Sequence, residues 1–191
     1  GHGISLNLNT LFLLSTSGSP SSIVKHNRAL KTLGANLVYF SFSREITPQG
    51  YSGLLKSPIV RGGAVTGQGL KSGLLPFLDD IDELAKNLGA VNTVINRDGK
   101  LHGYNTDAFG LKTALNKHLR ASGIKIKTAV IYGNGGVSGV AAQVLKNLRI
   151  KVTMAGRNQE RVDKKMCEFG LNNFSGPYDL AFNATPVSSA P

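Results

Sequence analysis

A glycine-rich segment, GNGGVSG at residues 133–139, constrains the fold of this chain more than any other feature. It follows the apolar, β-branched run TAVIY (128–132), and the next segment, VAAQVLKNL (140–148), has helical periodicity. The segment KVTMAG (151–156) then predicts a second strand. Strand, glycine turn, helix and strand in this order are typical of the first βαβ unit of a dinucleotide-binding fold. The sequence therefore predicts an α/β protein with a Rossmann-like domain in its second half.

The glycines also predict where a dinucleotide binds. Glycine lets the backbone approach a pyrophosphate, and the N-terminus of the following helix supplies free N–H groups and the positive end of its dipole. The match to G-x-G-x-x-G is incomplete, because Ser138 stands at the third glycine position and Gly139 lies one residue late. A glycine-rich turn without a ligand is the alternative. The residues that we predict to contact the cofactor here are Gly133, Asn134, Gly135, Gly136 and Val137.

The end of the next strand indicates which dinucleotide is bound. NAD-binding proteins typically hold a carboxylate there, about 20 residues beyond the glycines. This chain instead has Gly156, Arg157 and Asn158, followed by Arg161. Two guanidinium groups can bind a 2′-phosphate, although a single arginine is more often a solvated surface charge. These four residues are therefore predicted to bind the adenosine end of NADP.

The first hundred residues alternate apolar runs with helical patterns, which is typical of a layered α/β domain. The pattern predicts strands at 5–14, 36–42 and 62–67, helices at 23–34 and 75–89, a loop around Pro48 and Pro58, and a strand–turn–strand segment at 90–107. A helix at 107–119 is predicted to connect this part to the glycine-rich unit.

Charge, cysteine content and hydropathy exclude several classes of protein. The formal net charge of +11 is compatible with nucleic-acid binding, but the Lys and Arg residues are scattered, so we predict no nucleic-acid partner. The single cysteine, Cys167, rules out an intrachain disulfide and is predicted to be a small buried residue; no metal is expected. The apolar run at 11–14 is too short to span a bilayer. We therefore expect a cytoplasmic protein without membrane contact.

Two long motifs, GAVNTV (89–94) and GYNTDAFG (103–110), indicate a family. Together with the glycine segment, AGRN (155–158) and FNATP (182–186), they resemble the ordered motif set of the shikimate dehydrogenases. The resemblance extends from about Ser17 to the last residue.

This resemblance implies an N-terminal α/β substrate-binding and catalytic domain at 1–106 and a C-terminal Rossmann-like NADP-binding domain at 107–191. It also implies reversible hydride transfer between NADP and a small hydroxy acid. The reaction expected from the family is the interconversion of 3-dehydroshikimate and shikimate in aromatic amino-acid biosynthesis. Monomer and homodimer both remain open.

The resemblance assigns roles to individual residues. Asp107 matches the family aspartate that works beside a lysine to move a proton, and Asn92 and Asn105 match amides that contact the substrate. Thr66 matches a substrate-binding threonine. The residues implied on the nicotinamide side are Asn183, Ala184 and Thr185, with Pro186 beside them.

The position of the lysine departs from the family pattern N-V-T-x-P-x-K-E. Counting forward from Thr66 places Leu70 at the lysine position, whereas counting back from Pro76 places Lys71 there. A one-residue insertion in the glycine-containing loop reconciles the two counts, and we predict Lys71 as the catalytic lysine. The alternative is an ordinary exposed lysine in a protein that has lost the catalytic role.

The serine loop departs from the family pattern S-x-S-P-x-x-H-N. Counting back from His26 and Asn27 places Ser22 at the second serine but Pro20 at the first. We predict Ser22 and, less directly, Ser21 as substrate-binding, since the S-x-S-P at 17–20 lies too far from His26, which is predicted to pack locally. This loop, and Ala64 in place of the usual asparagine, resemble the divergent shikimate-dehydrogenase-like branch.

These departures leave a second function open. It is a catalytically weak NADP-binding paralogue that acts on quinate or an amino analogue of shikimate, or serves as a sensor. The family pattern also continues beyond NATP with further strands and a helix, so we expect the chain to belong to a longer protein. An intact mass of 20.2 kDa would contradict that expectation.

Overall fold

The computed structural model divides the chain into two compact α/β units, one ending at Thr106 and the other starting at Asp107. It describes residues 6–17, 19–42 and 45–185. Within these ranges no helix is both long enough and apolar enough to cross a membrane. The same ranges contain no group of three or more His, Cys, Asp and Glu side chains that could hold a metal ion.

The first unit is built on a six-stranded mixed sheet in the order β2-β1-β3-β5-β6-β4. Its strands are β1 (Leu11–Ser15), β2 (Leu37–Ser41), β3 (Val60–Ala64), β4 (Asp80–Ile81), β5 (Thr93–Arg97) and β6 (Lys100–Tyr104). β1 runs parallel to β2 and β3, whereas β5 is antiparallel to both β3 and β6. The helices of this unit are α1 (Pro20–Thr32), α2 (Pro48–Leu55), α3 (Gln68–Gly73) and α4 (Glu83–Leu88).

The core of the first unit lies between the sheet and its helices. Tyr51 and Leu55 of α2 are fully buried against Leu101 of β6 and Val91, which precedes β5. The predicted strand–turn–strand segment is confirmed as the β5–β6 hairpin. Asp98 and Gly99 both have positive φ, which a tight two-residue hairpin turn requires.

Two predictions for the first unit are wrong. The expected loop around Pro48 contains α2, because Thr47 caps the helix by accepting a hydrogen bond from the Gly50 N–H, and proline is well suited to the first helical turn. The expected helix at 75–89 is instead a short 3-10 turn, the strand β4 and the helix α4. Its aspartates separate these elements: Asp82 caps α4 through the Leu84 N–H.

A similar cause shortens the first strand. The predicted strand at 5–14 begins only at Leu11. Thr10 donates a hydrogen bond to Asn36 Oδ1, and the Asn7 N–H donates to Thr10 Oγ1. Local side-chain hydrogen bonds of this kind compete with strand pairing, so the polar residues before Leu11 form a turn.

The second unit contains a three-stranded parallel sheet in the order β8-β7-β9. Its elements are α5 (Thr106–Ser122), β7 (Thr128–Tyr132), α6 (Gly136–Asn147), β8 (Lys151–Ala155), α7 (Gln159–Glu168) and β9 (Leu180–Asn183). β8 and β9 lie on opposite sides of β7, which creates a topological switch point at the carboxyl ends of β7 and β9. The predicted βαβ unit is therefore confirmed. Cys167, predicted to be buried, is instead exposed on α7.

Candidate functional site

The carboxyl ends of the three strands in the second unit meet at Gly133. Its N–H donates a hydrogen bond to the Ala155 carbonyl, and the Ala184 N–H donates to Tyr132. Gly133 has a φ of +105°, and a Cβ at this position would lie 3.0 Å from the Ala184 carbonyl and 3.1 Å from the Thr185 methyl group. Only glycine combines this backbone angle with such a close approach. The structure thus brings the predicted cofactor residues of the glycine loop and of the segment after β9 together.

The serine at the third glycine position turns back into the loop. Ser138 is fully buried, and its hydroxyl donates to the Gly135 carbonyl at 2.5 Å. The close packing that a third glycine allows is found at Gly139, where a Cβ would lie 2.8 Å from the Phe169 ring. Gly135 is the N-cap of α6, and its carbonyl accepts the Ser138 N–H at 3.1 Å. The N–H groups of Gly136 and Val137 come before the first acceptor that the helix provides. The irregular motif therefore still presents a helix N-terminus suited to a pyrophosphate.

The predicted adenosine-binding residues lie at the start of α7. Asn158 caps the helix, because its Oδ1 accepts a hydrogen bond from the Arg161 N–H at 3.0 Å. Gly156 packs against Val162, whose Cγ2 lies 3.1 Å from where a Cβ would be. Arg157 and Arg161 are both exposed, and no carboxylate within the described ranges forms an ion pair with either guanidinium. Both positive charges are therefore available to an anion.

A tight turn follows β9. Asn183 Oδ1 accepts hydrogen bonds from the Thr185 N–H at 3.0 Å and from the Thr185 hydroxyl at 2.6 Å. This turn fixes Ala184 beside Gly133. Pro186, implied to lie on the nicotinamide side, falls outside the described residues.

In the first unit, α3 carries both candidate positions for the lysine, and both side chains are half-buried. Leu70 packs against the hydrophobic core. The Lys71 N–H donates to the Gly67 carbonyl at 3.0 Å, and the Lys71 carbonyl accepts from the Val91 N–H at 3.0 Å. Gly67, with a φ of +84°, forms the turn into α3. It lies in the loop where this chain has one residue more than the family pattern. Of the two candidate positions, position 70 holds a leucine that packs on the core, and position 71 holds the side chain that can carry a proton.

Asn92 links the substrate-site candidates of the first unit. Its Oδ1 accepts hydrogen bonds from the Thr106 N–H at 2.9 Å and the Thr106 hydroxyl at 3.1 Å, and the Thr93 hydroxyl adds a third at 3.0 Å. Its carbonyl accepts from the Val65 N–H. Because Oδ1 is occupied by donors, the amide Nδ2 is the group that Asn92 can offer to a ligand.

The two remaining motif residues differ in exposure. Asn105 is buried and donates to the Ala90 carbonyl at 3.1 Å. Asp107 is exposed in the first turn of α5, directly after Thr106 in the chain.

A group of hydroxyls lies at the carboxyl ends of β1, β2 and β3, and only Thr66 among them is a residue predicted from the sequence to bind substrate. Thr16 Oγ1 lies 3.1 Å from Thr66 Oγ1 and accepts the Thr66 N–H at 2.9 Å. Ser17 Oγ lies 3.3 Å from Ser41 Oγ and accepts from the Ser15 hydroxyl at 3.2 Å. Three consecutive hydroxyl residues at the end of a strand, Ser15 to Ser17, are the sequence signal that could have identified this group.

This chain is similar to known proteins in both sequence and structure. Residues 14–94 match the family model described as the shikimate dehydrogenase substrate binding domain. A shikimate dehydrogenase (NADP(+)) from Geobacillus kaustophilus is 32% identical over 187 residues, covering 89% of this chain and 66% of the relative. A solved shikimate 5-dehydrogenase-like protein has a TM-score of 0.81 and 25% identity, covering 95% of this chain and 68% of that chain.

A second solved structure decides the family. It is shikimate 5-dehydrogenase from Thermus thermophilus in complex with NADP(H) and shikimate, and it is 31% identical with a TM-score of 0.66. The match covers 92% of this chain and 68% of that one. The chain belongs to the shikimate dehydrogenase family. It spans 44 to 66% of the length of the curated family members that it matches.

The two serines predicted to bind substrate, Ser21 and Ser22, lie in the first turn of α1. Ser22 lies within α1, and its Oγ is 3.2 Å from His26 Nδ1 and 3.4 Å from the Tyr39 hydroxyl. Ser21 Oγ is 3.1 Å from the hydroxyl of Ser19, which is the N-cap of α1. His26 stacks on Tyr39 with ring centroids 4.2 Å apart, so its predicted local packing is confirmed.

Proposed function

We propose that this shikimate dehydrogenase family member is an NADP-dependent oxidoreductase that interconverts 3-dehydroshikimate and shikimate, or a close analogue, by hydride transfer. In this proposal residues 1–106 form the substrate-binding domain and residues 107–191 the NADP-binding domain. The observation that carries it is the junction at Asn92. The Asn92 side chain accepts a hydrogen bond from the Thr106 N–H, and the Asn92 carbonyl accepts one from the N–H of Val65, which precedes Thr66. The N–H of the neighbouring Val91 donates to the Lys71 carbonyl. Residues of separate family motifs are thus held in one place.

The second unit supports NADP as the cofactor. The Gly133 position leaves no room for a side chain where three strand ends meet, and the α6 N-terminus lies directly after it. Arg157 and Arg161 supply positive charge where an NAD-binding protein typically holds an acid. The curated relatives carry NADP(+) in their names, and the T. thermophilus protein was solved with NADP(H). The residues present therefore fit a phosphorylated dinucleotide.

The chemistry follows from the groups that the chain supplies. NADP⁺, which Gly133, the N-terminus of α6 and the two arginines would hold, would supply the acceptor for the hydride of the substrate's carbinol carbon. Lys71 receives the hydroxyl proton as the C–O bond becomes a carbonyl, and returns it in the reverse direction. Asp107 is the carboxylate that the family resemblance assigns to the same proton transfer. Asn92 Nδ2, Asn105 and the Thr66 hydroxyl orient the substrate, together with the hydroxyls of Ser21 and Ser22.

The cofactor assignment predicts a selective loss of affinity. Replacing Arg157 or Arg161 by alanine is expected to raise the Kd for NADP⁺ by about ten- to a hundredfold each, because a charge-assisted hydrogen bond contributes roughly 1.5–3 kcal/mol. The Kd for NAD⁺, which lacks the 2′-phosphate, is expected to change less than twofold. Isothermal titration calorimetry measures both values.

Lys164→Ala is the matched control, since Lys164 is also an exposed cation on α7. It should leave both affinities unchanged. Equal losses for NADP⁺ and NAD⁺ in the arginine variants, or an equal loss in Lys164→Ala, would contradict the assignment.

One observation favours a second function. Lys71 lies five residues after Thr66 rather than the four of the family pattern. In a catalytically weak paralogue or a sensor, NADP⁺ would bind with the same dependence on Arg157 and Arg161. The paralogue would turn over quinate or an amino analogue slowly, whereas a sensor would turn over neither shikimate nor quinate.

A further inference from the structure

A tyrosine in the core of the first unit keeps its hydroxyl away from water. Tyr51 of α2 is fully buried, and its hydroxyl donates a hydrogen bond of 2.9 Å to the Ala64 carbonyl at the end of β3. Burial, and to a smaller extent the charge of Tyr39, raises the pKa of Tyr51 well above its usual value. The hydroxyl is therefore a permanent donor. Phenylalanine would fill the same space, so the polar atom needs its own explanation.

The sequence of β3 leaves room for this hydroxyl. A Cβ at Gly63 would lie 2.3 Å from the Tyr51 oxygen and 2.9 Å from Leu55 Cδ2. Any side chain at position 63 would therefore displace the tyrosine from the Ala64 carbonyl. Glycine weakens the interior of a strand, so its presence in β3 needs a reason. The close approach of the Tyr51 hydroxyl supplies that reason.

The Ala64 carbonyl lies where β3 passes into the proposed active-site segment. It also accepts the Thr16 N–H at 3.4 Å, and Thr16 in turn holds the Thr66 N–H. Beyond Thr66 the chain turns at Gly67 and enters α3, which carries Lys71. The hydrogen bonds from Tyr51 and Thr16 therefore fix the peptide group of Ala64, the last residue of β3. Thr66 and Lys71, which are both proposed to contact the substrate, follow this peptide in the chain.

We propose that the Tyr51 hydroxyl is a positioning group for residues 65–71. By holding the Ala64 peptide in one orientation, it sets the direction in which the chain leaves β3. It thereby sets where the Thr66 hydroxyl and the start of α3 lie. Tyr51 touches neither substrate nor cofactor in this role. The expected effect on turnover rests on the proposed function, whereas the effect on the segment does not.

The test compares Tyr51→Phe with Ser52→Ala. Ser52 is the next residue of α2, it is also buried, and its hydroxyl donates to the Gln49 carbonyl of its own helix at 2.8 Å. Both variants lose one buried hydroxyl-to-carbonyl hydrogen bond, but only Tyr51→Phe loses one to β3. Native-state hydrogen exchange of the Thr66 and Lys71 amides measures whether the segment is held.

We expect these two amides to exchange at least about tenfold faster in Tyr51→Phe and to stay unchanged in Ser52→Ala. We also expect kcat/KM for shikimate to fall about tenfold or more in Tyr51→Phe, since small displacements of reacting groups are costly, while the Kd for NADP⁺ stays the same. Unchanged exchange would overturn the proposal. So would an unchanged kcat/KM in an active enzyme, or equal losses in both variants. If the wild-type protein turns over no substrate, the proposed function fails, and the exchange rates still decide whether Tyr51 holds the segment.

Discussion

Replacing Lys71 by methionine is expected to lower kcat for shikimate oxidation by about a hundred- to ten-thousandfold, the usual contribution of general acid–base catalysis. Methionine keeps an unbranched apolar chain at a half-buried position but cannot accept or donate the proton. The Kd for NADP⁺ is expected to stay within twofold, because the glycine loop and both arginines belong to the second unit. Steady-state kinetics and titration calorimetry measure the two effects.

Lys86→Met controls for the loss of a charge. Lys86 is an exposed lysine of α4 in the same unit, and no catalytic role is proposed for it. Its replacement should leave kcat within twofold. Turnover by Lys71→Met at more than a third of the wild-type rate would remove Lys71 from the mechanism and would favour the weak-paralogue function.

Replacing Asn96 by aspartate is expected to lower the free energy of unfolding by about 3 kcal/mol or more, because it leaves buried polar groups unpaired and adds a buried charge. Asn96 is buried, and its Nδ2 lies 2.7, 3.1 and 2.9 Å from the carbonyls of Leu55, Ser57 and Val60. Its Oδ1 accepts the Gly99 N–H at 2.8 Å. A carboxylate oxygen in place of Nδ2 would face these carbonyls without a proton to share. Urea unfolding followed by circular dichroism measures the loss.

Asn87→Asp is the matched control, because Asn87 is exposed on α4. It is expected to change stability by less than about 0.5 kcal/mol, as surface substitutions usually do. Lowering the pH should recover part of the stability of Asn96→Asp, since the protonated acid can donate one hydrogen bond. Equal stability of the two variants at neutral pH would show that Asn96 does not hold α2 and β3 to the hairpin.

The fold elements that could be predicted are those set by local sequence. The glycine-rich turn between TAVIY and VAAQVLKNL predicts β7 and α6, and the Asp98–Gly99 pair predicts the β5–β6 hairpin. The helix α2 could also have been predicted, since Thr47 and Pro48 form a cap and a first helical residue. Periodicity alone could not divide the segment at 75–89 into its 3-10 turn, β4 and α4, because its apolar spacing fits one continuous helix. The helix begins only after Asp82, which caps it.

The candidate site also combines residues that the local sequence predicts with contacts that it does not predict. Gly133, Arg157 and Asn92 lie in motifs that can be recognised from neighbouring residues. The contacts that position these motifs join distant parts of the chain, so no local pattern predicts them. Thr16 meets Thr66 across 50 residues, and Asn96 reaches Leu55 across 41.

The most direct test of the central claim is the reduction of NADP⁺ by the wild-type protein with shikimate, followed by the absorbance of NADPH, with quinate as the second substrate. The proposed function predicts turnover with shikimate that NAD⁺ supports less well and that collapses in Lys71→Met. Tight binding of NADP⁺ without turnover of shikimate or quinate would contradict the claim and would leave a protein that uses the fold to bind the cofactor without this reaction.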